Sequence, residues 1–238
     1  MIIEKFLLPN KEIESDLLLS GGASISTAQR PDGNVPFGIF PRIGLEVVSF
    51  ANITLFCGSS NTAKALLLRI IASKVGLVRL PPGTSQRSLA EYLSLCAVVR
   101  SRRNDECTPR SLIITKEQAS AFLSNTYADI AIHQPKSILN FYEDNIVSGS
   151  LCFIEEPDSF MSLSEQRQFA ALIYDLARLS GNQFVITTNS AALMSIPRAV
   201  IYDFDRDRIR PESWYTSNTA KLYAEAYEDI RKTHHMKN

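Results

Sequence analysis

At 238 residues the chain is long enough to bury the core of one α/β domain, or of two small ones. Hydrophobic residues make up 45% and charged residues 21%, and 25 basic residues balance 25 acidic ones, so nothing at whole-chain level marks a nucleic-acid or membrane-surface protein. No apolar run reaches the length of a membrane span and Met1-Ile2-Ile3-Glu4-Lys5 lacks a basic-then-apolar signal pattern, so a cytoplasmic chain without membrane insertion is expected.

Residues 1–42 carry little periodicity and are punctuated by Gly21-Gly22, Pro31-Asp32-Gly33 and Pro36, which predicts turns and a poorly defined N-terminal segment. Strands follow at Gly44–Phe50 and, fully apolar, at Ile53–Cys57. A small polar loop, Gly58–Thr62, leads into a helix over Ala63–Val75, with Leu66, Leu67, Ile70 and Ile71 at helical spacing. Ser88–Arg103 reads as a helix, Ser111–Thr115 as a short buried strand, and Lys116–Ala128 and Ser137–Val147 as further helices. Leu151–Ile154 is a buried strand; Ser164–Leu179 is a long amphipathic helix closed by Gly181. Phe184–Thr188 and Ala199–Asp205 are strands, with a last one around Ile209, and the tail 218–238 is polar and helical over Asn218–Lys232. Alternating strands and helices imply βαβ units and a mainly parallel sheet. With no repeat and no linker, one domain over 1–238 is expected. Cys57, Cys96, Cys107 and Cys152 are scattered and form no C-x-x-C pair, which fits buried thiols better than a metal site or a disulfide framework.

Gly58-Ser59-Ser60-Asn61-Thr62-Ala63-Lys64-Ala65 stands where a buried strand, a polar loop and a helix meet. A phosphate loop needs that setting, because loop N–H groups and the helix N-terminus cradle phosphates while a Lys supplies charge. Against the pattern G-x-x-x-x-G-K-[ST], Gly58 and Lys64 are in register, but Ala63 replaces the second Gly and Ala65 the Ser/Thr. A Cβ at position 63 crowds the loop, and Ala65 has no hydroxyl for Mg2+. A plain strand–turn–helix with a solvated Lys is the competing reading.

Leu151-Cys152-Phe153-Ile154-Glu155-Glu156-Pro157 places two carboxylates directly after a buried strand. In a Walker B arrangement the first holds Mg2+ and the second polarises the attacking water. Glu155 is one methylene longer than the usual Asp, which misplaces the oxygen for the tight octahedron of Mg2+. An acidic turn that merely caps a strand is the alternative.

With both elements present, the chain resembles the predicted AAA/ABC-type ATPases of bacteria, compact relatives of ABC and SMC heads, from about Gly44 onward. ITLFCGSSNTAKALLLRIIA is similar to the family's strand, P-loop and first helix, and SLIITKEQASAFL to the strand followed by an acidic or Gln residue near the metal. LCFIEEPDSFMSLSEQRQFAALIYDLARLSGNQFVITTNSAALMSIPRAVIYDFD is similar to the Walker B, D-loop, long helix, switch strand and closing hairpin. YTSNTAKLYAEAYEDI is similar to the C-terminal helical tail. The resemblance implies a three-layer P-loop NTPase fold of ABC-ATPase type. It implies catalytic roles for Glu156 and Asn189, nucleotide contacts from Gly58 to Ala65 and from Ser137, and metal contacts from Glu155 and from Gln118 or Glu117. It also implies head-to-tail pairing, as a homodimer or as a heterodimer with a related ATPase.

The departures touch every one of these elements. Asn189 in Thr187-Thr188-Asn189-Ser190 stands where the family has a switch His, and cannot carry a proton. His133-Gln134-Pro135-Lys136-Ser137 stands for the signature segment without its Gly, and Pro135 removes a donor. Together with Ala63, Ala65 and Glu155 these changes imply a degenerate site: a pseudo-ATPase serving as a regulatory or structural subunit, with ATP and Mg2+ bound weakly or not at all. A divergent but working ATPase is the first alternative. A nucleic-acid-associated module like SMC heads or phage-defence ATPases is the second, with Arg100, Arg102 and Arg103 as its one tight basic run. His133, His234 and His235 have no partners at metal-binding spacing.

Overall fold

The computed structural model describes residues 1–20, 36–59, 63–78, 84–101, 110–128 and 137–233. In chain order these form β1 (Ile3–Leu7), α1 (Lys11–Ser20), α2 (Ile39–Arg42), β2 (Val47–Ser49), β3 (Ile53–Cys57), α3 (Lys64–Lys74), α4 (Thr84–Leu95), β4 (Ala97–Arg100), β5 (Ser111–Ile114), α5 (Lys116–Ala128), α6 (Ile138–Asn145), β6 (Leu151–Glu155), α7 (Leu163–Leu179), β7 (Gln183–Thr187), α8 (Ala191–Met194), β8 (Val200–Asp203), β9 (Pro211–Glu212) and α9 (Asn218–Thr233).

The central sheet runs β5-β6-β7-β3-β8-β9, parallel throughout except for the antiparallel β8–β9 edge. This is the mainly parallel α/β sheet expected from the sequence. Its inner strands are apolar on both faces, as a sheet covered twice requires. Side chains alternate across it. Phe56, Leu151, Phe153, Val185 and Tyr202 face α3 and the small β2-β1-β4 sheet. Leu55, Cys57, Cys152, Ile154, Phe184, Ile186 and Ile201 face α6, α7 and α8. The result is three layers.

Local signals set the element ends. Ser162 starts α7 through a capping box with Glu165, one residue earlier than the periodicity suggests. Ser137 caps α6 in the same way with Asn140. Cys57, Cys96 and Cys152 are buried free thiols, and burial, followed by the nearby Asp203 charge, pushes Cys57 up to about 12. Cys107 lies outside the described residues.

Two stretches differ from the sequence expectation. The described part of residues 1–42 is not all turns, and Gly21-Gly22 and Pro31-Asp32-Gly33 lie outside the described residues. Ile3–Leu7 is the middle strand of the small sheet, with Ile3 and Phe6 fully packed. The predicted helix over Ser88–Arg103 ends at Leu95, and Ala97–Arg100 is a strand. Val98 and Val99 favour extended backbone, and β1 offers them an antiparallel partner that no local pattern reveals.

Candidate functional site

Because β3, β6, β7 and β8 are parallel, their carboxyl ends open on one edge, where ligands of such sheets bind. Register pairs Phe56 with Thr187, Glu155 with Thr187, and Cys57 with Asp203. One rim therefore gathers Gly58-Ser59, Glu155-Glu156, Thr187–Asn189 and Asp203–Asp205. The strand order puts β7 between the loop strand and the acidic strand, so Asn189 lies between the two motifs.

Gly58 begins the loop at φ 131°, a conformation side chains rarely adopt, and a Cβ there would meet Phe204 Cβ at 3.1 Å and Asp205 N at 3.2 Å. Ala63 occupies the position before α3, and Lys64 opens the helix with its side chain only 2% exposed. The Lys64 Nζ donates to Gly58 O at 2.9 Å and to Asn189 Oδ1 at 3.1 Å, and lies 3.5 Å from Glu156 Oε1. The loop amides also have protein acceptors: Gly58 N donates to Asn189 Oδ1 at 3.2 Å and Ser59 N to the Asp205 carboxylate. Ser60, Asn61 and Thr62 lie outside the described residues.

Glu156 takes the left-handed conformation at φ 44° directly before Pro157. That is a strained backbone for a non-glycine residue. It is held by its N–H donating to Thr187 O at 3.0 Å and to Thr187 Oγ1 at 3.1 Å. Its carboxylate sits between two cations: Lys116 Nζ donates to Oε2 at 2.9 Å, and Lys64 faces Oε1. Burial raises the Glu156 pKa, but the Lys116 hydrogen bond and the Lys64 charge outweigh it, so the net shift is downward. Asp158, two residues on, accepts from Thr188 Oγ1 at 2.7 Å and Asn189 N at 3.3 Å, which fixes the turn after β7.

Glu155 is 5% exposed and gives both oxygens to Arg69 of α3, at 3.1 Å each. Glu117 lies 3.6 Å from the same guanidinium. Gln118 turns its Oε1 to Thr115 N at 2.9 Å. Ser137 uses its hydroxyl to cap α6, accepting from Leu139 N at 3.2 Å. The structure thus brings Gly58, Ser59, Lys64, Asn189 and Glu156 together, sets Glu155 against a different partner, and leaves Gln118 and Ser137 engaged in local caps. His133, Pro135, Arg102, Arg103, His234 and His235 lie outside the described residues, and Arg100 is exposed at the end of β4.

Arg69, Lys116, Asp158 and Asp205 contact the candidate residues and are not contained in the motif patterns. Arg69 had one visible signal, an Arg inside the apolar run of α3, one turn beyond Ala65. The helix α9 also reaches the rim. Thr219, Leu222, Tyr223 and Ala226 line a cavity of about 370 Å³ with Gly58, Ser59, Asn189 and Asp205, and Tyr223 OH donates to Asn189 O at 3.1 Å.

No protein-family model matches the chain, and no curated protein matches it in sequence. Among solved structures it is similar to the SMC head domain from Thermotoga maritima, at 12% identity and TM-score 0.46 over 90% of this chain and 100% of that one. It is similar to Stu0660 of Streptococcus thermophilus, at 12% identity and TM-score 0.44 over 79% and 76% of the two chains. It is also similar to domain III of the Thermotoga maritima replication initiation protein DnaA, at 15% identity and TM-score 0.34 over 78% and 63%. At these values the fold stands on the strand order and loops of this chain itself.

Proposed function

We propose that residues 1–238 form a single ABC-type ATPase-like domain that does not turn over ATP and serves as a regulatory or structural subunit. The observation that carries this reading is the state of Glu156. A general base works best with a pKa near the operating pH, whereas Glu156 is clamped by Lys116 and Lys64 and its pKa is lowered. The charge balance supports the same reading. Lys64, Arg69 and Lys116 stand among Glu155, Glu156, Asp158, Asp203 and Asp205, an acid surplus that disfavours a triphosphate. As a subunit, the domain pairs with a second copy or with a related ATPase, which sedimentation of the pure chain distinguishes.

Steady-state turnover of Mg-ATP by the pure chain tests the reading. The expected rate is indistinguishable from that of the Glu156→Gln variant; turnover that this substitution abolishes overturns it. The second reading, a divergent working ATPase, is favoured by one observation: Lys64, Asn189 and Glu156 do converge, with Lys64 within 3.5 Å of both. ATP is the ligand to test for either reading.

A further inference from the structure

The Mg2+ that a P-loop site implies does not fit the residues present. Ala65 has no side-chain oxygen, Gln118 Oε1 is held by Thr115 N, and both oxygens of Glu155 are taken. Among the described residues no group of three or more His, Cys, Asp or Glu is arranged to hold a metal.

We infer that Arg69 is the resident cation of this site, standing permanently on Glu155 in the place beside the acidic strand where P-loop proteins hold a divalent ion. The inference rests on the reading of the site as non-hydrolysing and says what took the metal's part. Three observations carry it. The pairing is a fork, Nε to one oxygen and Nη2 to the other, both at 3.1 Å, which is the geometry in which Arg and carboxylate bind best. Glu155 is almost wholly buried while Arg69 is half exposed, so the buried charge has its partner at the solvent boundary, from which an ion would arrive. And Arg69 stands one helical turn past Ala65. Helix side chains lean toward the N-terminus, so its guanidinium is carried back to the turn from which a Ser or Thr hydroxyl would have served the metal.

Glu117 completes the arrangement, 3.6 Å from Nη2. Glu117 was a candidate metal ligand from the sequence, and in the structure it attends the guanidinium instead. The hydrogen bond to Glu155 raises the Arg69 pKa, the largest of its influences, and an Arg keeps its charge at any pH the fold survives. The substitution is therefore unconditional: unlike a bound ion, this cation cannot be lost to a chelator or exchanged.

Thermal unfolding of the full chain with EDTA or with millimolar Mn2+ tests this. The wild-type Tm is expected to be the same in both. Arg69→Ala leaves Glu155 buried and unpaired, and its Tm in EDTA is expected to fall by roughly 5 °C. At least half of that loss should return in Mn2+, which can bridge the carboxylates that Arg69 had joined, and Glu155→Gln in the same background should remove the recovery. Arg69→Gln serves if Arg69→Ala is too unstable to purify. A variant that loses stability equally with and without Mn2+ overturns the inference. So does Mn2+ bound by the wild type beside a non-hydrolysable ATP analogue, read by electron paramagnetic resonance and lost in Glu155→Gln. Either result can occur in a chain without turnover, and turnover dependent on Glu156 would sink the proposed function by a separate measurement.

Discussion

Asp205 accepts the backbone N–H of Ser59 through both carboxylate oxygens, at 2.9 and 3.0 Å. An amide that faces the ligand in a phosphate loop here faces the protein's own anion. Asp205→Ala frees that amide and removes one negative charge from the rim. Affinity for a fluorescent ATP analogue is expected to rise about tenfold, or ~1.4 kcal/mol, in an anisotropy titration. Unchanged or weaker binding would mean that Asp205 does not compete with phosphate.

Lys64 is buried and hydrogen-bonded to protein acceptors, so it contributes to the fold and not only to a ligand. Lys64→Met keeps much of the volume but leaves Asn189 Oδ1 and Gly58 O one donor short and takes a cation from Glu156. The expected loss is about 1–3 kcal/mol in urea-induced unfolding. A stability equal to wild type would show that the Lys64 contacts are idle.

Glu14 gives a pH signature of opposite sign to Glu156. It is 4% exposed, Oε2 accepts Gly38 N at 2.6 Å, and Oε1 has no partner among the described residues. Burial raises its pKa from 4.5, against the lowering effect of the Gly38 amide. A raised folded pKa contributes stability that is complete below 4.5 and lost as pH rises through the folded value. At pH 7 the charge is a burden, so Glu14→Gln, which can still accept from Gly38, is expected to raise Tm by roughly 2 °C at neutral pH. Below 4.5 the gain should vanish. For Glu156 the folded value lies below 4.5, so its contribution is present above 4.5 and disappears as pH falls through the folded value. The gap between wild type and Glu156→Gln should close on acidification.

Tyr223 ties α9 to the turn after β7 through Asn189 O, while Leu222, Tyr227 and Ile230 of the same helix are more than half exposed. Among the described residues, that hydrogen bond is one of the few ties of α9 to the rim, beside Thr219 on Cys57 and the buried Ala220. Tyr223→Phe is expected to speed amide exchange in α9 by about fivefold, given ~1 kcal/mol per hydrogen bond, and to leave α7 unchanged. Equal acceleration in both helices would indicate general destabilisation.

The central sheet was legible because its strands are short apolar runs bounded by turns. Ile53–Cys57 is found as read, and the acidic pair stands at the end of β6, with Glu155 its last strand residue. What escaped was non-local. β1 is extended because β2 and β4 flank it, and neither lies near it in sequence. The site was legible as a set of positions and not as a set of bonds. Lys64, Glu155 and Glu156 could be found by spacing. That Glu155 faces Arg69, on a helix begun more than eighty residues earlier, and that Glu156 faces Lys116, depends on how strands and helices stack. Asp205 was visible only as the end of a strand.

The side chain of Gln183 at the start of β7 is fully buried and joins the two sheets. Its Oε1 accepts Ile2 N at 2.8 Å and Ile3 N at 2.9 Å, and its Nε2 donates to Ile3 O at 2.8 Å and Ala51 O at 3.1 Å. These bonds span up to 181 positions. A ribosome adds about 5–20 residues per second, so β1 is made roughly ten seconds or more before the amide that joins it to β7 exists. During that interval β2, β4 and α3 are already made and available to β1, while the backbone groups of Ile2 and Ile3 lack the Gln183 side chain. The order of synthesis thus makes the seam between the two sheets late to close, and a chain stalled before residue 183 lacks the side chain that joins them.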